Sequence, residues 1–108
     1  MKAFRNGRQA NILLFNAPTF AEAKRIRRAL LEKRLIKGGF ILPVDSGYID
    51  DSGEIREDHD YFVVFAHTNS ALSGNALEAI EEISDAFGLT WELKAGTDNY
   101  ADWVFSLT

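Results

Sequence analysis

Residues 18–48 read PTFAEAKRIRRALLEKRLIKGGFILPVDSGY, a helix signal running into a strand signal. Thr19 and Glu22 have the Ser/Thr-x-x-Glu spacing of a capping box. In that device the hydroxyl accepts from a first-turn amide and the carboxylate reaches back to the cap amide. Pro18 cannot itself extend the helix upstream. Phe20, Ala23, Ile26, Leu30, Leu31 and Leu35 then recur at steps that keep them on one side of a helix. Gly38-Gly39 predicts the helix end, because glycine takes the left-handed conformation of a C-terminal cap. Phe40-Ile41-Leu42-Pro43-Val44 opens a strand that runs towards Ile49 through Asp45-Ser46-Gly47-Tyr48.

Working outward, Gln9 to Phe15 reads as a first strand, with Ile12-Leu13-Leu14-Phe15 apolar on both faces as in a central strand. Asp50-Asp51-Ser52-Gly53 is a turn, and Tyr61-Phe62-Val63-Val64-Phe65 is a third strand. Asn69 to Asn75 is polar and turn-like, with Ser70 or Asn75 placed to cap a second helix. That helix carries Ala76, Leu77, Ala79, Ile80, Ile83 and Phe87 on one face, and Gly88 is expected to stop it. Leu89, Trp91 and Leu93 alternate with polar residues as a fourth strand, and Asp98 is placed to cap a short last helix. The order βαββαβ predicts an α+β, ferredoxin-like antiparallel sheet with both helices on one face, a long central hairpin and a short C-terminal helix.

The 108 residues suit a single domain spanning 1–108, and 46% hydrophobic with 12% aromatic residues is enough for a core. There is no cysteine, so disulfides, thiolate metal sites and cysteine nucleophiles are excluded. Residues 1–9 hold no apolar leader segment and no run approaches a membrane span, from which we expect a cytoplasmic protein with no membrane partner. The net charge of −4 is divided sharply. Ten of the twelve Lys and Arg stand in residues 1–37 against Glu22 and Glu32, leaving that part at +8 and the remainder at −12. Such asymmetry suits a polyanion, an acidic surface on a neighbouring copy, or simply two solvated faces.

Two helices can cover only one face of this sheet, yet its strands are apolar on both. Large exposed apolar faces mark contact surfaces, so the pattern predicts self-association. The last residues, rich in Tyr100, Trp103, Val104, Phe105 and Leu107, are expected at a subunit boundary with Trp103 as anchor, joined there by Tyr48.

The run Ala23-x-x-Ile26-x-x-x-Leu30-Leu31-Glu32-x-x-Leu35, then Ile41-Leu42-Pro43-x-x-Ser46-x-Tyr48, resembles the CutA divalent-cation-tolerance family. Gly53-Glu54-Ile55-x-Glu57-Asp58 resembles the hairpin of that family, and Ala95-Gly96-x-x-x-Tyr100-x-x-Trp103 its closing motif. These pieces keep the family order across Asn11 to Val104. The resemblance implies a ferredoxin-like subunit in a tight homotrimer, related in architecture to PII-like signalling proteins. Its implied function is a binding protein associated with divalent-cation tolerance. The PII-like alternative is a sensor that holds a small anion between subunits, with Arg27, Arg34, Ser46 and Tyr48 in the cleft; an oligomeric scaffold without ligand is another. Departures stand beside the matches. Gly38 occupies a position where many members carry cysteine, Ala66-His67 replaces Lys-Thr, and Ser84-Asp85-Ala86-Phe87-Gly88 replaces the longer His-Pro-Tyr-Glu-x-Pro stretch. The cysteine and histidine proposed as copper ligands in the family have no counterparts here.

A divalent metal would therefore be held elsewhere. His59 lies between Asp58 and Asp60, and imidazole with carboxylates suits weak binding of copper or zinc. Neighbours on a strand point to opposite faces, however, so a solvated hairpin is the competing reading. His67, ending an apolar strand, is a further candidate ligand, or a hydrogen-bonded strand-end residue. Asp45-Ser46-Gly47 and Asp51-Ser52-Gly53 repeat the aspartic-protease triplet but stand too close to face each other, and turns explain both. No enzyme activity is expected. The cations of the first helix leave nucleic acid as a weaker reading, since the third strand lacks the aromatic pattern of RNA-binding sheets.

Overall fold

The structure, a computed structural model, describes residues 2–4 and 9–107, without the side chains of Lys2, Ala3, Asp58 and His59. Its elements are β1 (Lys2–Ala3), β2 (Ala10–Ala17), α1 (Phe20–Glu32), β3 (Gly38–Ile49), β4 (Ile55–Asn69), α2 (Ser70–Ile83), β5 (Gly88–Glu92), β6 (Ala95–Gly96) and α3 (Asp98–Phe105). The main sheet has the order β3-β4-β2-β5 with antiparallel neighbours throughout, and β1 pairs with β6 beside it. This is the ferredoxin-like arrangement, two split βαβ units with α1 and α2 packed on one face.

That face is the core. Leu13, Phe15 and Ala17 of β2 and Val64 and Ala66 of β4 meet Ala23, Ile26 and Leu30 of α1 and Ala76, Ala79 and Ile80 of α2, all out of water. The period of two in the strands and near 3.6 in the helices delivers these residues to one layer.

Both helix starts rest on side-chain caps. Thr19 Oγ1 accepts from the Glu22 amide at 3.1 Å, but the Glu22 carboxylate turns to Arg25 instead of closing the capping box. Arg25 also holds the Glu22 carboxyl below its usual range. Asn69, not Ser70 or Asn75, caps α2: its Oδ1 accepts from Leu72 N–H at 3.1 Å. The stretch expected to be turn-like is thus the first turns of a helix. The sheet brings this about, because Asn69 still pairs with Ala10 and the next amide, Ser70 N–H, donates to the Gln9 carbonyl.

Both helix ends come earlier than expected. α1 closes at Lys33, and Gly38 and Gly39 belong to β3. A Cβ on Gly39 would stand 3.0 Å from the Phe65 carbonyl oxygen, so the glycine serves close strand approach and not a helix cap. α2 ends at Ile83, leaving Phe87 exposed and Gly88 as the first residue of β5.

Strands β3 and β4 continue past the helices as a two-stranded ribbon, which stretches the molecule to 47 × 27 × 20 Å. At its tip one Asp50 oxygen accepts from Ser52 N–H, Ser52 Oγ and Glu54 N–H, while the other takes Arg56 Nε at 2.8 Å. Those donors push the Asp50 carboxyl down to about 2, and Gly53 closes the turn at φ 87°.

Candidate functional site

The second sheet face decides what this fold offers to other molecules. Register places Gly38, His67, Ile12 and Trp91 in one row across it, and Phe40, Phe65, Leu14 and Leu89 in the next. Leu42, Val63 and Asn16 form a third row. Phe40 is 64% exposed, Leu89 49%, Leu42 46% and Trp91 39%. Covering what remains exposed of such side chains stabilises by on the order of 1 kcal/mol each. The face is a continuous apolar surface across both edge strands of the sheet.

One end of it is already covered, by α3. Thr97 caps that helix by accepting from Tyr100 N–H, and Ala101 and Val104 are buried. Tyr100 and Trp103 close around His67. The His67 Nδ1 lies 3.0 Å from the Tyr100 hydroxyl, and its ring meets Phe40, Tyr100 and Trp103 edge-on at centroid distances of 5.9, 5.4 and 5.3 Å. Burial lowers the His67 pKa and raises that of Tyr100. His67 is therefore a packed, hydrogen-bonded strand-end residue. The indole of Trp103 lies on Gly38, where an added Cβ would be 3.1 Å from two ring carbons.

The expected interface residues separate on this geometry. Val104 is wholly buried inside its own chain and offers nothing to a partner. The C-terminal segment packs in part against its own chain, because the second sheet face was free to receive it. Trp103 keeps 40% of its surface exposed, and Tyr48 is exposed on the distant ribbon.

The candidate metal ligands fall at two places along β4. His67 stands eight residues along β4 from His59, about 26 Å at the rise of a strand. Asp60 is exposed and pairs across the ribbon with Asp45; the side chains of Asp58 and His59 lie outside the described ones. Among the described residues no three His, Asp or Glu side chains converge on one point. Nor does one chain assemble the expected anion cleft. Arg27 donates to the Gly39 carbonyl at 3.2 Å, whereas Ser46 and Tyr48 line a surface pocket of about 330 Å³ further along β3. Gly39 and Ser46 are about 23 Å apart along the strand.

A groove of about 600 Å³ lies where Asn16, Pro18, Thr19 and Glu22 face Tyr61 and the 84–87 segment. Phe87 N–H donates to Asn16 Oδ1 there at 2.8 Å. Sequence reasoning did not locate it, since its walls are remote in the chain; the shortened 84–88 stretch was the available signal.

A family model described as CutA1 divalent ion tolerance protein matches residues 11–106. This chain belongs to that family. Solved structures agree in fold. The CutA1 of Ehrlichia chaffeensis superposes with a TM-score of 0.84 at 24% identity, covering 94% of this chain and 97% of its own. CutA from Archaeoglobus fulgidus, described as a periplasmic divalent cation tolerance protein, gives 0.83 at 23% identity over 91% and 97%. The Cut A1 protein of Thermus thermophilus gives 0.79 at 23% identity over 88% and 94%. A search of curated protein sequences gives no match. At these identities the solved structures speak for the CutA1 fold, and the family match for the kinship.

Proposed function

We propose that the chain works as a homotrimeric binding protein of the cytoplasm in the response to divalent cations, without a catalytic step. The apolar second sheet face carries this reading. Phe40, Leu42, Leu89 and Trp91 hold more exposed apolar surface than a solitary subunit keeps without a partner, and a like face on a second copy is of matching chemistry. The family description supplies the link to divalent ions. Light scattering should give three times the 12.1 kDa chain mass, and titration with copper and zinc should give binding that His59→Ala weakens. A monodisperse monomer that binds neither ion would overturn the proposal.

A further inference from the structure

Arg34 occupies backbone that glycine is built for. Past the end of α1, Leu35 N–H returns to the Leu30 carbonyl and Arg34 N–H to the Leu31 carbonyl, each at 3.0 Å. These are the two bonds of a Schellman turn, and they place Arg34 at φ 58°, the one non-glycine residue at positive φ among those described. An L side chain there crowds its own backbone, and glycine would not. An observed strain of this kind points to a role for the side chain that imposes it.

That side chain borders a cleft of about 380 Å³ between the α1–β3 connection and the end of α3, lined by Leu31, Arg34, Ile36, Lys37, Ser106 and Leu107. Lys33, Arg34 and Lys37 place three positive charges within five residues. None has a carboxylate partner among the described residues, whereas Arg25 and Arg28 on the same helix pair with Glu22 and Glu32. Cations also complement the dipole at a helix C-terminus, but Lys33 already stands there. The Schellman bonds satisfy the Leu30 and Leu31 carbonyls without any side chain. Ser106 Oγ donates to the Trp103 carbonyl at 2.6 Å, which leaves Arg34 and Lys37 as the side-chain donors among the described residues lining the cleft.

We propose that this cleft binds a small phosphate-bearing anion, a phosphate monoester or a pyrophosphate. The Arg34 guanidinium supplies a planar fork that matches two phosphate oxygens, and Lys37 supplies a second charge. Leu31 and Leu107 flank an organic substituent, and the volume suits a small molecule. The site is complete within one chain and goes beyond the reading above, so its test is independent of assembly and of metal binding.

Pyrophosphate, titrated calorimetrically at constant ionic strength, is the probe. Saturable binding is expected, weakened about tenfold to a hundredfold by Arg34→Gly and by Lys37→Met. Arg34→Gly should at the same time melt above wild type without ligand, because the turn is relieved. Stability and affinity moving in opposite directions separate a residue held for its head group from one that merely packs. Arg34→Lys, which keeps charge but loses the fork, should fall between. The proposal is overturned by absence of saturable binding to the wild type, by equal affinity in wild type and both variants, or by an Arg34→Gly protein that melts below wild type.

Discussion

Replacing Gly38 by alanine should change the sign of its effect according to whether Trp103 is present. The new methyl would sit 3.1 Å from Cη2 and Cζ2 of the indole, closer than ordinary contact. His67 braces the same indole at a centroid distance of 5.3 Å, but 40% of its surface is free, so the ring can yield outward. That places the overpacking cost near the lower end of its usual range, about 1–1.5 kcal/mol. Against it, alanine in place of glycine restricts the unfolded chain and stabilises by about 0.5 kcal/mol. Gly38→Ala alone is therefore expected to lose about 0.5–1 kcal/mol. Trp103→Ala should cost about 2 kcal/mol, less than a fully buried tryptophan. In that background Gly38→Ala should become stabilising by about 0.5 kcal/mol, because nothing remains above it. Urea unfolding of the four proteins at one fixed concentration gives the coupling, provided the m-values agree. The same sign in both backgrounds would refute the assigned contact.

On assembly, Phe40→Asp with Leu42→Asp should convert a trimer to a folded 12.1 kDa monomer by light scattering, since both side chains are exposed within the single chain. On pH, the Asp50 carboxyl has a folded pKa of about 2, below its unfolded value near 3.9, so its contribution is full above about pH 4 and disappears as pH falls through about 2. Exchange protection of the Ser52 and Glu54 amides, taken relative to the intrinsic rate at each pH, should fall across that window, and Asp50→Ala should lower it already at neutral pH and abolish the step. At the start of α2, Asn69→Ala should lower stability by about 1 kcal/mol in urea unfolding, while Asn69→Asp retains the cap.

Local chemistry made much of the fold legible in the sequence. The Thr19 cap, the apolar arc from Ala23 to Leu30, the doubly apolar strands and the Asp50–Gly53 turn all depend on residues within a few positions of each other. The ferredoxin-like order of elements and the presence of an apolar second sheet face were legible as well. The boundaries were less readable. Gly38 and Gly39 resemble a helix cap until Phe65 and Trp103 are seen against them, and Asn69 caps α2 while still paired to β2. Nor could the sequence tell that His59 and His67 would be carried apart along one fifteen-residue strand.

Periodicity determined which residues leave water; it did not determine what meets them. Tyr100 and Trp103 were visibly on one side of a last helix, but their seat against His67 and Gly38 joins positions more than thirty residues apart. It follows only from the sheet placing both on the face that α1 and α2 leave open. Arg34 is the same lesson at shorter range. Its charge was plain in the sequence and its left-handed backbone follows from turn bonds to Leu30 and Leu31, whereas the cleft it borders with Leu107 exists only because α3 returns to the end of α1. Capping, turn and amphipathic signals are short-range energies written in order along the chain. The partners that close a site are chosen by the packing of layers, which the chain reaches only as a whole.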